Sequence, residues 1–136
     1  MEIKKGDYLL TDDKNVIDMD FVVDGLHNTY WADKRERDII EKSIEHSIFL
    51  SLFKNERQIG FTRIVTDYAT FAWIADVYID PEQRGNNLGK FLVENTVNHE
   101  AIKDLRLRLL KTRDAHGLYE KYGFVKDECM VKRQQS

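Results

Sequence analysis

The chain has 136 residues, a net charge of −3, 42% hydrophobic residues and 33% charged residues. This length favours one compact domain over residues 1–136, and the apolar content is too high for a disordered protein. No apolar run approaches the roughly 20 residues of a membrane helix, and the N-terminus does not resemble a signal peptide, so we expect no membrane partner.

A short strand near residues 8–11 precedes two helical patterns in the first third of the chain. Apolar residues recur near helical spacing from Phe21 to Tyr30. Asp33, with Glu36 three residues later, predicts the capped start of a second helix.

The middle of the chain changes pattern. Three segments rich in β-branched and aromatic residues are separated by short polar turns, and they predict strands over residues 48–54, 58–66 and 71–79. A helix over 87–98, a strand over 106–112, a short helix over 116–122 and a last strand over 125–130 follow. This order predicts an α+β (mixed α/β) domain around one sheet.

The segment from residue 79 to residue 90 suits an anion. An apolar strand ends at a proline, and a loop with two glycines opens directly into a helix, which directs unpaired N–H groups outward. Gly85 and Gly89 allow close backbone approach, and Arg84 and Lys90 supply positive charge. The spacing fits neither a Walker loop nor a dinucleotide fingerprint, and an ordinary strand-to-helix turn is the alternative.

A second segment, residues 112–124, leads from a strand into a short helix. Gly123 would end this helix as a left-handed cap. A tyrosine such as Tyr119 or Tyr122 on a helix of this kind is ordinarily a packing residue. By itself this segment therefore indicates no function, and it is informative only in combination with residues 79–90.

Together the two segments resemble the GNAT superfamily of N-acyltransferases. Arg84 to Gly89 is similar to its acyl-CoA-binding motif, Gln/Arg-x-x-Gly-x-Gly/Ala, and Ala115 to Phe124 is similar to its Ala-x-x-x-Tyr-x-x-x-Gly-Phe pattern. Element order fits over nearly the whole chain, and the motifs cover residues 73–124. The resemblance implies a GNAT-like domain with a central, mostly antiparallel sheet, a splayed strand pair and flanking helices.

Two residues depart from the family pattern. Asn87 stands at the motif's first glycine, where a left-handed Asn would preserve the loop. Thr112 stands where many members have an asparagine that helps to bind the pantetheine arm. The loop geometry is therefore expected to persist, with altered contacts to that arm.

The resemblance implies acetyl-CoA as the co-substrate and no metal. Backbone groups of the strand before the loop would pair with the pantetheine arm, and loop N–H groups would hold the pyrophosphate. The cofactor-binding residues so implied are Val77, Ile79, Arg84, Gly85, Asn86, Asn87, Leu88, Gly89, Lys90 and Thr112.

The implied reaction is direct attack of a primary amine on the thioester, with Tyr119 as the general acid. Three candidates exist for the base: Asp76, which interrupts an apolar strand, His116, and a water chain. The alternative roles are structural hydrogen bonding for Asp76 and helix capping for His116.

By analogy with the family, the acceptor site lies between the N-terminal helices and the turn over residues 67–70. Tyr30 and Trp31 at the end of the first helix could cover an amine, and Asp67 and Tyr68 belong to the turn. Core packing is the alternative for the aromatic pair. Seven aspartates with only one lysine between residues 7 and 33 favour either a cationic acceptor or a solvated face.

The net charge conceals an asymmetry. Residues 1–82 hold 10 Lys and Arg and 17 Asp and Glu, a net charge of −7, and residues 83–136 hold 11 and 7, a net charge of +4. The boundary falls at the loop, so the basic half would meet the CoA phosphates and the acidic half an amine. Two differently solvated faces are the alternative.

The remaining observations limit the partners and the compartment. The basic half is too sparse for nucleic acid, and the four histidines lack metal-ligand spacing. The single cysteine, Cys129, predicts a reducing compartment and hence the cytoplasm.

The sequence therefore predicts an acetyl-CoA-dependent N-acetyltransferase, monomer or homodimer, that acts on a small-molecule or protein amine. A noncatalytic acyl-CoA-binding module and transfer of a different acyl group are the alternatives.

Overall fold

Within residues 1–134, the part of the chain that the computed structural model describes, six strands form one sheet. They are β1 (Glu2–Lys5), β2 (Tyr8–Thr11), β3 (Ile48–Lys54), β4 (Arg57–Thr66), β5 (Phe71–Ile79) and β6 (Leu107–Leu110). Their order across the sheet follows the chain, and each neighbouring pair is antiparallel except β5 and β6, which run parallel. The predicted α+β fold with a mostly antiparallel sheet is confirmed.

Four helices in the same residues flank the sheet: α1 (Met19–His27), α2 (Arg37–Glu45), α3 (Leu88–Val97) and α4 (His116–Glu120). α1 and α2 pack on one face around the stacked rings of Phe49, Phe61 and Tyr78. α3 covers the opposite face, where Leu92 packs with Leu50. A fully buried side chain of this kind stabilises the fold by about 1.5–3 kcal/mol.

Neither α1, α2, α3 nor α4 is long and apolar enough to cross a bilayer, and the same holds for every helical turn within residues 1–134.

The antiparallel strands β3 and β4 are joined by a tight turn whose two residues have positive φ. Asn55 and Glu56, between β3 and β4, have φ of 48° and 72°. Two successive residues with positive φ make a hairpin turn that matches the twist of the flanking strands. The β3–β4 hairpin is therefore closed by local chemistry, as the polar turn in the sequence predicts.

Two predicted helix boundaries are wrong. α1 ends at His27, so Tyr30 and Trp31 lie in the turns that follow it rather than on the helix. Asp33 is not the cap of α2, because it lies inside a turn closed by the bond from Arg35 N–H to Ala32 O. Glu36 takes the N-cap position instead, without a side-chain cap bond.

The predicted last strand over residues 125–130 is also wrong for the single chain. Residues 124–134 contain no helix, strand, turn or bend. No backbone hydrogen bond joins residues 125–134 to another part of the described chain, and the side chains of this segment are exposed. A strand requires a partner edge, and this segment has none here. Conversely, the structure contains a strand, β1, that the sequence analysis did not predict.

The strands around the loop separate as predicted. β5 and β6 pair only as far as Ile74 and Leu110, whereas β5 continues to Ile79. The gap that opens between them is bordered by the loop that leads into α3. This gap and loop define the candidate site.

Candidate active site

The loop after β5 enters α3 through two residues with positive φ. Gly85 has φ 94°, and Asn87, the N-cap of α3, has φ 60° and ψ 21°. Asparagine tolerates the left-handed region better than most residues with a side chain. Asn87 therefore has the conformation that the sequence predicts for a residue in the glycine position of the motif.

The backbone N–H groups of residues 85–90 make no hydrogen bond within residues 1–134. The first bond of the α3 ladder runs from Phe91 N–H to Asn87 O at 3.0 Å, and the Asn87 side chain caps none of the free donors. The helix dipole adds positive potential at the same point. Six free donors beside a helix N-terminus suit a diphosphate.

Gly89 leaves room on this surface. It lies in the first turn of α3, and a Cβ there would meet no protein atom within 4 Å. Gly60 is a contrast, because a Cβ on it would lie 2.8 Å from Tyr78 O. Neither packing nor positive φ explains a glycine at position 89, whereas close approach of a ligand does. The loop residues therefore fit the phosphates of an acyl-CoA.

Two cations flank the loop. Arg84 Nε donates to Ile79 O at 3.2 Å, which holds the side chain at the mouth of the gap between β5 and β6. Lys90 is exposed in the first turn of α3, and its carbonyl accepts a hydrogen bond from Tyr122 O–H at 3.2 Å. This bond ties the turn after α4 to the first turn of α3.

The free edge of β5 directs backbone groups into the gap. Asp80 N–H donates to Ile59 O, on the side of β4, at 2.7 Å. Because successive residues of a strand face opposite edges, Val77 and Ile79 direct their N–H and C=O groups away from β4. Both residues therefore border the gap, and the Ile79 carbonyl there accepts the hydrogen bond from Arg84 Nε.

Tyr119 lies on α4, packed with Ile74 and with its ring 6.0 Å from that of Phe124. Its hydroxyl makes no hydrogen bond to any residue within 1–134. Burial, with smaller contributions from Tyr30 and Asp114, raises the pKa of Tyr119 to about 12. Tyr119 is therefore a neutral phenol with an unused hydrogen-bond donor.

Asp76 is buried at the centre of a hydrogen-bonded group. Trp31 Nε1–H donates to Oδ1 at 2.8 Å, and Oδ2 accepts from Arg63 Nε at 2.8 Å and from Arg35 Nη1 at 3.0 Å. Burial alone would raise the pKa of Asp76, but Arg63, Arg35 and Trp31 together hold it below its ordinary value. The carboxylate is ionised and fully engaged.

A β-bulge brings these residues together. Arg63 on β4 pairs with Asp76, whereas Ile64 pairs with Ile74, so Ala75 is an extra residue on β5. Bulges of this kind re-aim side chains and are frequent beside functional sites. Here the bulge sets Asp76 opposite Arg63.

Tyr30 and Trp31 form an edge-to-face pair with ring centroids 5.0 Å apart. The Tyr30 hydroxyl accepts from Arg113 N–H at 3.2 Å, and the Arg113 guanidinium lies 3.7 Å from the Tyr30 ring centroid. Both rings are about half exposed, Tyr30 at 46% and Trp31 at 40%. The pair is therefore available to a ligand rather than enclosed in the core, and it bridges the segment after α1 to the segment before α4.

His116 and Thr112 lie at the start of α4. Thr112 Oγ1 accepts from Ala115 N–H at 3.0 Å and so supports the helix start. His116, the first residue of α4, is partly buried and makes no hydrogen bond to a residue within 1–134. His116 therefore does not cap α4, whose N-cap residue is Ala115, and both ring nitrogens of His116 are without a partner within residues 1–134.

Asp67 and Tyr68 belong to the β4–β5 turn, and the structure does not bring them to the aromatic pair. The Asp67 carboxylate accepts from the N–H groups of Ala69, Thr70 and Phe71. Hydrogen bonds from the Thr70 hydroxyl and these N–H groups hold the pKa of Asp67 far below its usual range. Tyr68 is exposed beside the end of α2.

Three arginines of the site were not anticipated from the sequence: Arg35, Arg63 and Arg113. Arg63 interrupts an otherwise mostly apolar strand, as Asp76 does in the next one. Two opposite charges that interrupt neighbouring strands of a meander are a signal for a cross-strand pair. Arg35 and Arg113 lie outside the helices and strands and carry no such signal.

The N-terminal aspartates take part in local structure. Asp18 caps α1, Asp13 caps the turn at Lys14–Val16, and Asp20 forms an ion pair with Arg37. Asp12 lies 3.1 Å from His99. These contacts favour the solvated-face explanation over attraction of a cationic acceptor.

The sequence is similar to acetyltransferases. A family model described as an acetyltransferase (GNAT) domain matches residues 45–126. The uncharacterized N-acetyltransferase ycf52 of Porphyra purpurea is 33% identical over 144 residues, which cover 96% of this chain and 78% of that protein. GCN5-related N-acetyltransferase 2, chloroplastic, of Arabidopsis thaliana is 35% identical over 80 residues, 58% of this chain and 31% of that protein.

The fold is similar as well. The crystal structure of the xcc2953 protein of Xanthomonas campestris, described as belonging to the GNAT family, superposes with a TM-score of 0.89 at 32% identity and covers 93% of each chain. The residues matched by the family model include the loop and Tyr119 but not Tyr30 and Trp31.

Proposed function

Because the chain belongs to the GNAT acetyltransferase family, we propose that it transfers an acetyl group from acetyl-CoA to a primary amine by direct attack in a ternary complex. The observation that carries the proposal is the row of free N–H groups of residues 85–90, at the start of α3 and beside the gap between β5 and β6. A row of this kind binds the diphosphate of a CoA, and the gap accepts the arm attached to it.

The donor is held mainly by backbone. Val77 and Ile79 pair with the pantetheine arm along the free edge of β5, and Arg84 and Lys90 add charge at the phosphates. A backbone N–H of β5 that faces the gap polarises the thioester carbonyl, as an oxyanion donor does. The donor is therefore positioned without a covalent link to the protein.

The amine nitrogen attacks the thioester carbon, the new C–N bond forms, and the C–S bond breaks. Tyr119 donates a hydrogen bond to the departing sulfur, because its hydroxyl is free and remains protonated. A phenol with a pKa of about 12 is a much weaker acid than a thiol of about 8.5, so we assign to Tyr119 stabilisation of the thiolate more than complete proton transfer.

We assign Asp76 to positioning and leave the base to His116 or a water chain. An ionised carboxylate whose pKa is lowered, and whose oxygens accept from three side chains, is a weak base. His116 has free ring nitrogens on the first turn of α4, the helix that carries Tyr119. Replacement of His116 by Asn should lower kcat/KM for the amine with little change in acetyl-CoA affinity, and an unchanged kcat/KM would leave water as the base.

The acceptor site is formed by Tyr30 and Trp31 beside the bulge of β5. Their half-exposed rings offer an apolar surface, and Trp31 is fixed by its bond to Asp76. An amine held there would approach the gap from the side of α1 and α2. We place the specificity of the enzyme in this pair, because it lies outside the residues that the family model matches.

Release of free CoA thiol from acetyl-CoA, measured with a panel of small primary amines and peptides with free amines, tests the proposal. We expect amine-dependent release by the wild-type protein, and weaker acetyl-CoA binding by the double variant Arg84→Ala/Lys90→Ala. Tight acetyl-CoA binding without thiol release for any amine would identify a noncatalytic binding module. Greater release from succinyl-CoA than from acetyl-CoA would identify a different acyl donor.

A further inference from the structure

We propose that the acceptor of this enzyme carries a carboxylate beside its amine, as an amino acid with an apolar side chain does, and that Arg113 binds that carboxylate. The inference rests on the proposed function, because it concerns the acceptor site at Tyr30 and Trp31. It narrows primary amines in general to one chemical class. Three features of the site support it: an arginine without a partner, an excess of positive charge and an exposed apolar surface.

Arg113 has a defined position and unused donors. Its guanidinium lies over the Tyr30 ring, 3.7 Å from the centroid, and its backbone N–H donates to the Tyr30 hydroxyl at 3.2 Å. Arg113 is exposed, and its guanidinium makes no hydrogen bond or ion pair to a residue within 1–134, including the adjacent Asp114. The planar fork of N–H donors on a guanidinium matches the two oxygens of a carboxylate.

The site holds more positive than negative charge. Arg35 and Arg63 both donate to the buried Asp76 carboxylate, whose other oxygen accepts from Trp31. Nε and Nη2 of Arg35 have no partner among the residues that the structure describes. An acceptor with only an ammonium group would meet three guanidinium groups and one carboxylate that is already engaged. A carboxylate on the acceptor offsets part of this charge, and the remaining positive charge favours the neutral form of its amine, which is the form that reacts.

The ring pair provides the surface for an apolar side chain. Tyr30 and Trp31 are both about half exposed, and their positions are fixed by hydrogen bonds to Arg113 and to Asp76, respectively. An aromatic or large aliphatic side chain would bury apolar area against these rings. An amino acid such as phenylalanine therefore matches both the rings and the guanidinium beside them.

Tyr30 also connects Arg113 to the reacting end of the site. After burial, Tyr30 and Asp114 are the contributors to the raised pKa of Tyr119, which indicates that these groups lie near its hydroxyl. A carboxylate bound by Arg113 is therefore close to the place where Tyr119 meets the departing sulfur. The amine and the carboxylate of an amino acid are close together as well, so one molecule can use both positions.

Matched acceptors that differ in the carboxylate test the inference. Release of CoA thiol gives kcat/KM for L-phenylalanine, for phenethylamine, which lacks the carboxylate, and for L-phenylalaninamide, which replaces it by a neutral group. For the wild type we expect phenylalanine to exceed either of the others roughly tenfold or more, the size of a hydrogen bond between charged groups. Arg113→Gln should bring this ratio close to one, and Arg113→Lys should retain part of it. Arg106→Gln, which changes an exposed arginine before β6, is the matched control and should keep the wild-type ratio.

Binding without turnover separates the inference from the proposed reaction. Calorimetry in the presence of free CoA measures the dissociation constant of 3-phenylpropanoate, which keeps the carboxylate and lacks the amine. We expect the wild type to bind it roughly tenfold more tightly than Arg113→Gln does. If this difference is found but no amine releases thiol from acetyl-CoA, the carboxylate site stands and the proposed reaction fails.

Other results would overturn the inference. Wild-type turnover of phenethylamine equal to that of phenylalanine would do so and would leave the transferase activity intact. A preference for phenylalanine that survives in Arg113→Gln, or equal binding of 3-phenylpropanoate by the two proteins, would exclude Arg113 as the binding group. Weaker acetyl-CoA binding by Arg113→Gln would assign the guanidinium to the donor instead. Thermal unfolding checks that each variant is folded.

Discussion

Arg63 and Asp76 face each other across β4 and β5, with Arg63 Nε 2.8 Å from Asp76 Oδ2. The same carboxylate holds Arg35 and Trp31, which belong to the segment between α1 and α2. One buried charge therefore connects the sheet to the chain that lines the candidate acceptor site. The stability of the fold and the proposed acceptor site therefore depend on the same carboxylate.

The variant Asp76→Asn should be less stable than the wild type and should bind the amine more weakly. Removing one charge of a buried pair leaves the arginines without their partner, so we expect the free energy of unfolding to fall by about 3 kcal/mol. The KM for the amine should rise more than the KM for acetyl-CoA, because the donor loop does not contact Asp76. Asp20→Asn, which breaks an exposed pair with Arg37, is the matched control and should change neither.

Trp31→Phe distinguishes positioning from general instability. It removes one hydrogen bond to Asp76 but keeps both arginine pairs, so its stability should stay near that of the wild type. A raised KM for the amine is still expected. An unchanged KM would remove Trp31 from the acceptor site.

Acid should weaken the fold through Asp76. Its pKa in the folded protein lies below the ordinary value of 3.8, so its contribution to stability is fully present above about pH 5. That contribution is lost as the pH falls below 3.8 towards the folded-state pKa. The difference in unfolding free energy between wild type and Asp76→Asn should therefore narrow as the pH falls, which urea unfolding from pH 6 to pH 3 measures. A constant difference would contradict the assignment.

Tyr119→Phe should lower kcat about a hundredfold, the range found when one hydrogen-bond donor to a developing anion is removed, with little change in acetyl-CoA affinity. Tyr8→Phe, on β2, is the matched control and should behave as the wild type. Since the pKa of Tyr119 is about 12, its deprotonation should produce no fall in kcat below pH 10. Turnover by Tyr119→Phe equal to that of the wild type would exclude the residue from the reaction.

Gly89→Ala should change stability and binding in opposite directions. Alanine favours a helix over glycine by roughly 0.5–1 kcal/mol, and the added Cβ meets no protein atom, so the melting temperature should rise. The same Cβ would occupy space that the CoA phosphates need, and the dissociation constant should increase about tenfold, or 1.4 kcal/mol. Gly117→Ala is the control, because Gly117 is also helical and an added Cβ there would meet no protein atom within 4 Å. Calorimetry should show a higher melting temperature for this variant and an unchanged dissociation constant for acetyl-CoA.

Association of acetyl-CoA should slow as ionic strength rises, because Arg84 and Lys90 lie beside the free N–H groups. Lys90→Gln should reduce the salt dependence, and Lys42→Gln, an exposed lysine on α2, should not. Stopped-flow measurements between low and physiological salt provide the comparison. An association rate that does not depend on salt would assign the charge asymmetry to solvation alone.

The features that could be predicted from the sequence are local ones. The left-handed conformation of Asn87 and the left-handed cap at Gly123 follow from the residue types at those positions. The order of strands followed from turn chemistry and β-branched runs. The gap between β5 and β6, by contrast, was expected only from the family resemblance.

Opposite charges in neighbouring strands signal a pair between Arg63 and Asp76, but the register that sets them opposite each other could not be predicted. The pairing of Ile64 with Ile74, extended regularly, would set Arg63 opposite Ala75. The bulge shifts the partner by one residue, and no short-range pattern marks it. Similarly, the residue types of 125–130 favour a strand, but the sequence of that segment does not determine which strand edge it would pair with.

The order of the sheet has a consequence for synthesis on the ribosome. Each strand from β2 to β5 pairs with the strand made before it, so the meander that ends at Ile79 can be completed before α3 has been made. Pairing of β6 needs the long connection through α3 and is slower to form. A nascent chain would therefore assemble the strands beside the candidate acceptor site first, and the gap between β5 and β6 would form only after the last third of the chain has been made.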